Sequence, residues 1–270
     1  MKTSTLSILF LGTFAVACSK AEPVQNEYAD ASDVPSPSDD IDEIPLEDLQ
    51  EADENREEES SGDDTGDGST EREPEPTITY DFDTENSLIY VQVFKDNDAA
   101  LSGMAHNHVI RADGYWGEVE YNLDDLSECR VSFELDVNQL QVDESGMRDF
   151  VGYTQPLADD DRATIRENML DDNQLNAASY SKITFESTEC TGDGGAVAEL
   201  SVAGKLKVRG TEASVSPDVS ITVYEGKLYA QATFDVRHES FGFEPYSFLF
   251  GAVRNDDPLR FTLDIVANAD

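Results

Sequence analysis

From residue 77 onward the chain repeats one pattern, apolar side chains at every second position in short runs separated by turn residues. Period two puts alternate side chains on one face of an extended chain, so each run is a strand with one buried face. Val131, Phe133, Leu135 and Val137 alternate with Ser132, Glu134 and Asp136, and Val119, Tyr121 and Leu123 with Glu118, Glu120 and Asn122. The same pattern holds for Ile183 and Phe185, Leu206 and Val208, Val219 to Val223, Phe234 and Val236, and Leu259 to Ile265. Asp113-Gly114, Gly192 to Gly195, Glu225-Gly226 and Asn255 to Pro258 supply the turns. With Leu88–Phe94 and Met104–Ala112 the pattern predicts about eight to ten strands, hence an all-β antiparallel barrel or sandwich. One interruption, 159–176, places Ile165 and Met169 four apart behind Asp159-Asp160-Asp161 and predicts a short inserted helix. Eight strands closed into a barrel leave room for one slender ligand. Phe241, Phe243, Tyr246, Phe248 and Phe250 crowd around Gly242 and Pro245, either to fill a core or to line such a space.

The 58 acidic and 18 basic residues give a formal charge of -40. Such a surface repels a phosphate backbone, which excludes electrostatic nucleic-acid binding, and it has no basic cluster for anionic lipid headgroups. Residues 19–76 hold 22 of the acids, three bases and a single aromatic, Tyr28. With so little apolar surface to bury, 18–76 reads as a disordered acidic tether ahead of a domain over 77–270. Asp63 to Gly68 faintly resembles a calcium loop, but it lacks the ligand spacing and the closing glutamate.

Residues 1–17 have one lysine, an apolar run from Leu6 to Val16 and small residues before Cys18. The run has the length of a signal-peptide core and is too short to span a bilayer. Ala15-Val16-Ala17-Cys18 resembles a bacterial lipobox, so Cys18 is expected to be acylated and to anchor the chain. Ser19 resembles the residue of lipoproteins sent to an outer membrane, which makes the expected location the periplasmic face of that membrane. The alternative is an ordinary signal peptide cut nearby.

Several segments carry a family likeness. They are Tyr80 to Asp83 with Ser87 to Val91, Gly103-Met104-Ala105-His106-Asn107-His108, Gly114-Tyr115-Trp116-Gly117, Arg166 to Leu170, Gly204 to Gly210, and Phe241 to Ser247 with Gly251-Ala252-Val253. In order and spacing they resemble the YceI-like family of exported lipid- and polyisoprenoid-binding proteins across nearly all of 77–270. The resemblance implies a lipocalin-like eight-stranded barrel whose apolar lumen holds a long isoprenoid or fatty chain. It implies neither catalysis nor a cofactor, and no obligatory metal; a homodimer is what it suggests for assembly. Tyr90, Phe133, Phe185, Phe234 and Phe261 are candidate liners, with Phe241 and Phe243 from the aromatic cluster. Which way each points depends on strand register, because a slip of one residue turns it outward. His238, Glu239 and Ser240 depart from the family's pattern before the aromatic stretch, which leaves the polar contacts at the mouth open.

His106 and His108 are two apart, so on a strand they share a face. They are candidates to hydrogen-bond a ligand headgroup; with His238 they are also the only three imidazoles available for a metal. Cys129 and Cys190 lie in a chain expected to reach an oxidising space, where such a pair commonly joins. Yet a regular ladder pairing 129 with 190 sets Phe133 opposite Glu186 rather than Phe185, so a bulge or cysteines just beyond the strands are needed. There is no nucleophile elbow, Walker loop or HExxH motif. The sequence therefore points to non-enzymatic binding of a long-tailed amphiphile, with a three-histidine metal protein and a solid-core interaction module as alternatives.

Overall fold

The structure, a computed structural model, describes residues 28–37, 41, 44–45 and 75–270. The leader, Cys18 and most of the acidic stretch lie outside the described residues. The strands are β1 (Ile78–Phe82), β2 (Leu88–Lys95), β3 (His108–Ala112), β4 (Tyr115–Tyr121), β5 (Arg130–Asp136), β6 (Leu140–Val142), β7 (Lys182–Gly192), β8 (Val197–Val208), β9 (Thr211–Val215), β10 (Asp218–Tyr224), β11 (Lys227–Arg237), β12 (Ser247–Phe248) and β13 (Val253–Ala269). Two α-helices, α1 (Ser145–Phe150) and α2 (Asp159–Leu170), lie between β6 and β7.

The ladder runs β1-β4-β5-β7-β8-β10-β11-β13, and β1 pairs β13 to close it. The result is the expected eight-stranded antiparallel barrel. The first three staves are broken midway. β1 and β2 both pair β13, on different stretches, and β4 and β3 pair β5 and β6 in turn. The breaks fall at Thr84–Ser87, at Asp113-Gly114 and at the 3-10 turn Val137–Gln139. The β2-β3-β6 half therefore flares away from β7, and α2 fills the gap. Arg166 on α2 donates to the carbonyls of Leu140 and Asn138, tying the helix to the β6 edge.

The helix is shorter than expected, ending at Leu170 because Asp171 leaves the helical region at φ -64°, ψ 165°. Its N-cap is Ala158, and the three aspartates occupy the first turn, where the helix dipole favours anions.

The alternation survives as burial. On β8, Ala198, Leu200, Val202, Leu206 and Val208 are buried inside while their neighbours face out. Gly204 continues that inner row. A Cβ there would stand 2.4 Å from the Phe185 ring, so only glycine leaves the ring its space.

Phe133 pairs Phe185, and Cys129 is bonded to Cys190. The structure uses both of the devices that could repair the parity. Cys129 precedes β5, and β7 bulges between Ser187 and Glu189 against β8. The added residue, Thr188, shifts Cys190 by one position and brings it to Cys129 without disturbing the Phe133–Phe185 pair.

Part of the presumed tether is placed on the barrel. Val34 is buried with Leu88, Val109 and Met147, and the Tyr28 ring lies 4.4 Å beneath the Arg111 guanidinium. Gly146 donates to the Tyr28 carbonyl at 2.8 Å, and a Cβ on Gly146 would sit 2.3 Å from the Asp30 carbonyl oxygen. Acidic composition argued for disorder across this stretch, but Tyr28 and Val34 carry enough apolar surface to hold a short segment.

Removing the disulfide in Cys129→Ala/Cys190→Ala is expected to lower unfolding free energy by about 4 kcal/mol, as closing a loop of 61 residues implies. Urea unfolding with unchanged binding in the native variant is the check; a loss below about 1 kcal/mol would contradict it.

Candidate functional site

Within the barrel a cavity of about 160 Å³ opens partly to solvent beside α2. Its wall is mostly aliphatic, including Ile89, Val91, Leu135, Ile183 and Leu259, and α2 contributes Ile165 and Met169. A smaller cavity of about 70 Å³, also partly open to solvent, is lined by Val131, Phe133, Phe185, Phe234 and Leu263 among others. The two occupy consecutive layers of the lumen, since β13 gives Leu259 and Phe261 to the first and Leu263 and Ile265 to the second.

Four predicted aromatic liners stand at this junction as two stacked pairs. Phe133 and Phe185 have ring centroids 5.3 Å apart, and Phe234 and Phe261 5.5 Å. By strand order the β5–β7 pair faces the β11–β13 pair across the barrel. Phe243 lines the outer cavity, edge-on to the His238 ring at 5.2 Å.

Three further candidates differ in setting. Tyr90 borders the outer cavity from β2, but its neighbours Ile89, Val91 and Val93 point inward, so parity turns the Tyr90 ring outward. It packs edge-on to Phe150 at 6.3 Å, within the second apolar cluster. Phe241 is 1% exposed and belongs to the core. His106 lies outside β3, which starts at His108, because a 3-10 turn at Ser102–Met104 precedes it. The shared face expected of the two histidines is therefore absent, and the buried Nδ1 of His106 has no hydrogen-bond partner among the described residues.

His108 and His238 do meet at the outer cavity, each with one nitrogen committed elsewhere. His108 Nδ1 lies 2.7 Å from Asp143 Oδ2. Asp143, fully buried at φ 53°, also accepts from the Val109 amide at 3.1 Å and from Arg148 Nη1 at 2.6 Å. A carboxylate so held accepts the Nδ1 proton and fixes the ring, leaving its other edge to the cavity. His238 Nδ1 donates to the Asp257 carbonyl at 2.7 Å, and burial pushes its pKa down, only partly opposed by Asp257 and Asp256. Its Nε2 is then an acceptor at neutral pH. Asn168, Gln174, Tyr246 and Asn255 complete the polar part of the wall.

Among the described residues no group of three His, Cys, Asp or Glu is placed to hold a metal ion. The three histidines are not gathered, and two of them already bind protein acceptors.

Asp143, Arg148 and the α2 contacts were not foreseen. Asp143 sits in a turn without periodicity, and only its carboxylate's later role distinguishes it from many other surface-like acids.

The fold and lumen define a closed antiparallel β-barrel with an internal, largely apolar pocket. The chain belongs to the YceI-like domain family, whose pattern matches residues 80–267. BcnA of Burkholderia cenocepacia is similar in structure, with a TM-score of 0.52, 13% identity, and 69% of this chain and 99% of BcnA covered. A polyisoprenoid-binding domain from Saccharophagus degradans, implicated in plant cell wall breakdown, gives 0.49 at 10% identity over 72% and 99%. These likenesses are of fold. No curated protein matches the chain in sequence.

The depressed pKa of His238 sets a direction for pH dependence. Below the ordinary value of 6.5 the unfolded chain takes up a proton that the folded chain resists. The contribution to stability is therefore whole above pH 6.5 and falls as pH drops through 6.5 towards the lowered folded value. The His238→Gln variant should lose less melting temperature than the parent between about pH 7.5 and pH 5. Parallel losses in the two proteins would refute this.

Proposed function

We propose that this protein is a non-enzymatic barrel that sequesters or carries a long-tailed amphiphile, such as a polyisoprenoid, a quinone or a fatty acid. The observation that carries the reading is the two-layered apolar lumen with polar groups confined to one end. An apolar tail gains about 25 cal/mol for each Å² it removes from water. It needs no chemistry from the wall, only shape. A head group needs few polar partners to fix its orientation, and the free edges of His108 and His238 are the natural ones. His108 is the better fixed of the two, because Asp143 holds its ring and Arg148 holds Asp143. Membership of the YceI-like family supports a binding role for the barrel.

We further propose that the chain is exported and anchored through acylated Cys18, with the barrel facing the periplasm. The lipobox-like Ala15 to Cys18 carries this part. An exported barrel is also where the Cys129–Cys190 bond would persist.

Native mass spectrometry of the exported chain, followed by organic extraction, tests both parts. An added mass of several acyl groups on the N-terminal peptide is expected from Cys18. A separately extractable isoprenoid or fatty species is expected from the lumen. Ala112, buried in the outer cavity wall, gives the control. Ala112→Phe should lower ligand retention about tenfold or more by occupying the space, with little loss of stability if that space is empty. Retention unchanged by the added ring, or an apo mass that takes up no offered isoprenoid or quinone, would overturn the reading.

A further inference from the structure

Beside the outer cavity the barrel carries a surface that its composition does not explain. Phe250 is completely exposed, Met104 63%, Phe248 56%, Leu249 44% and Leu101 40%. These side chains come from two loops, 99–107 and 245–253. The Leu101 amide donates to the Ala252 carbonyl at 2.8 Å, and Arg254 pairs with Asp96 at 2.6 Å just behind. The apolar residues thus form one rim.

Two features set this rim apart. First, neither loop contains a single Asp, Glu, Lys or Arg, in a chain of which 28% is charged. Second, Leu249 and Phe250 have φ of 50° and 57°, followed by Gly251 at 85°. Bulky residues seldom adopt the left-handed region, and two in succession are unfavourable. The pairing of Ser247 with Arg254 and Phe248 with Val253 holds the tip in place. The backbone therefore spends conformational energy on presenting Leu249 and Phe250 to water.

The rim is continuous with the cavity. Tyr246 and Asn255 line the cavity, and the Asn255 amide donates to the Tyr246 carbonyl at 2.9 Å, at the base of the same loop. Resting on the binding function proposed above, we infer that this rim is a bilayer-docking surface through which the lumen exchanges ligand with the acyl layer. A ligand with a long apolar tail resides in a bilayer before it resides in a protein. Uncharged, aromatic-tipped loops at the mouth let that tail move without crossing water. A protein partner would be expected to meet a polar, charged rim around an apolar centre, and these two loops supply no charge. The remaining surface is strongly acidic, so docking should favour zwitterionic lipid and weaken as anionic lipid is added at low salt.

The test uses the chain's single tryptophan, Trp116. Full-length protein carrying Cys18→Ser, Trp116→Phe and Phe250→Trp reports from the tip alone, free of any acyl anchor. With phosphatidylcholine vesicles its emission should shift to the blue, and brominated acyl chains should quench it about twofold or more. Trp116 in the parent should respond to neither. Adding Phe248→Ser and Leu249→Ser should lower partitioning about tenfold or more, given the apolar area removed. Tip emission unaffected by vesicles overturns the docking surface, as does a blue shift produced only by a soluble protein. Ligand uptake from detergent, measured on the same protein, separates the two claims. Uptake without vesicle contact sinks only the surface, and vesicle contact without any uptake sinks the binding function.

Discussion

The seventeen-residue β13 is the constraint on which the rest depends. It pairs along its length with β11, near its end with β1 and earlier with β2, so it both closes the barrel and carries the flared half. Between its two partners on that edge the ladder would fail, because the chain turns away at Thr84–Ser87. The Ser87 hydroxyl takes over there. It donates to the Val266 carbonyl at 3.0 Å and accepts from the Val266 amide at 2.9 Å, while the Asp83 amide adds a bond to the same carbonyl. A buried side chain thus stands in for a missing strand residue, and both backbone groups of Val266 are paired at the break.

The break has an energetic counterpart outside the barrel. Where β2 and β3 flare, Arg111, Glu144, Asp143 and Arg148 are buried in alternating sign. Arg111 Nε meets Glu144 at 2.7 Å, and Arg148 meets Asp143 at 2.6 Å. Such pairs add little net stability, yet removing one partner leaves an uncompensated charge and costs several kcal/mol. Their value here is positional. Asp143 reaches His108 from one end of this network, and Arg111 covers Tyr28 at the other, so one set of charges fixes a cavity wall group and an N-terminal segment together.

How far the sequence went follows from which signals are local. Period two in Val131 to Leu135 or Leu259 to Ile265 gave the strands, and the parity of Phe133 and Phe185 gave both the stacked pair and the need for a bulge near Cys190. Tyr90 borders the cavity from a strand, β2, that is apolar on both faces. Its outer face is buried under α1 and the N-terminal segment, so alternation could not say which side was the lumen. His106 misled because Ser102–Met104 forms a 3-10 turn instead of extending. Asp143 and Arg148 carry no periodic signal, and the aromatic cluster that includes Phe250 did not mark it as exposed. Their roles depend on tertiary contacts, and Asp143, Leu249 and Phe250 all have positive φ.

The seating of Tyr28 and Val34 would set the geometry of the proposed attachment. Counted to the start of the barrel, 58 residues separate Cys18 from residue 76, a contour of about 200 Å at full extension. Counted to the seated Tyr28, only ten do, and the limit drops to about 35 Å. An acyl anchor at Cys18, as proposed above, would then be a short leash of no more than that length. Release of a single tyrosine and valine from the barrel would lengthen the leash almost sixfold without breaking a covalent bond.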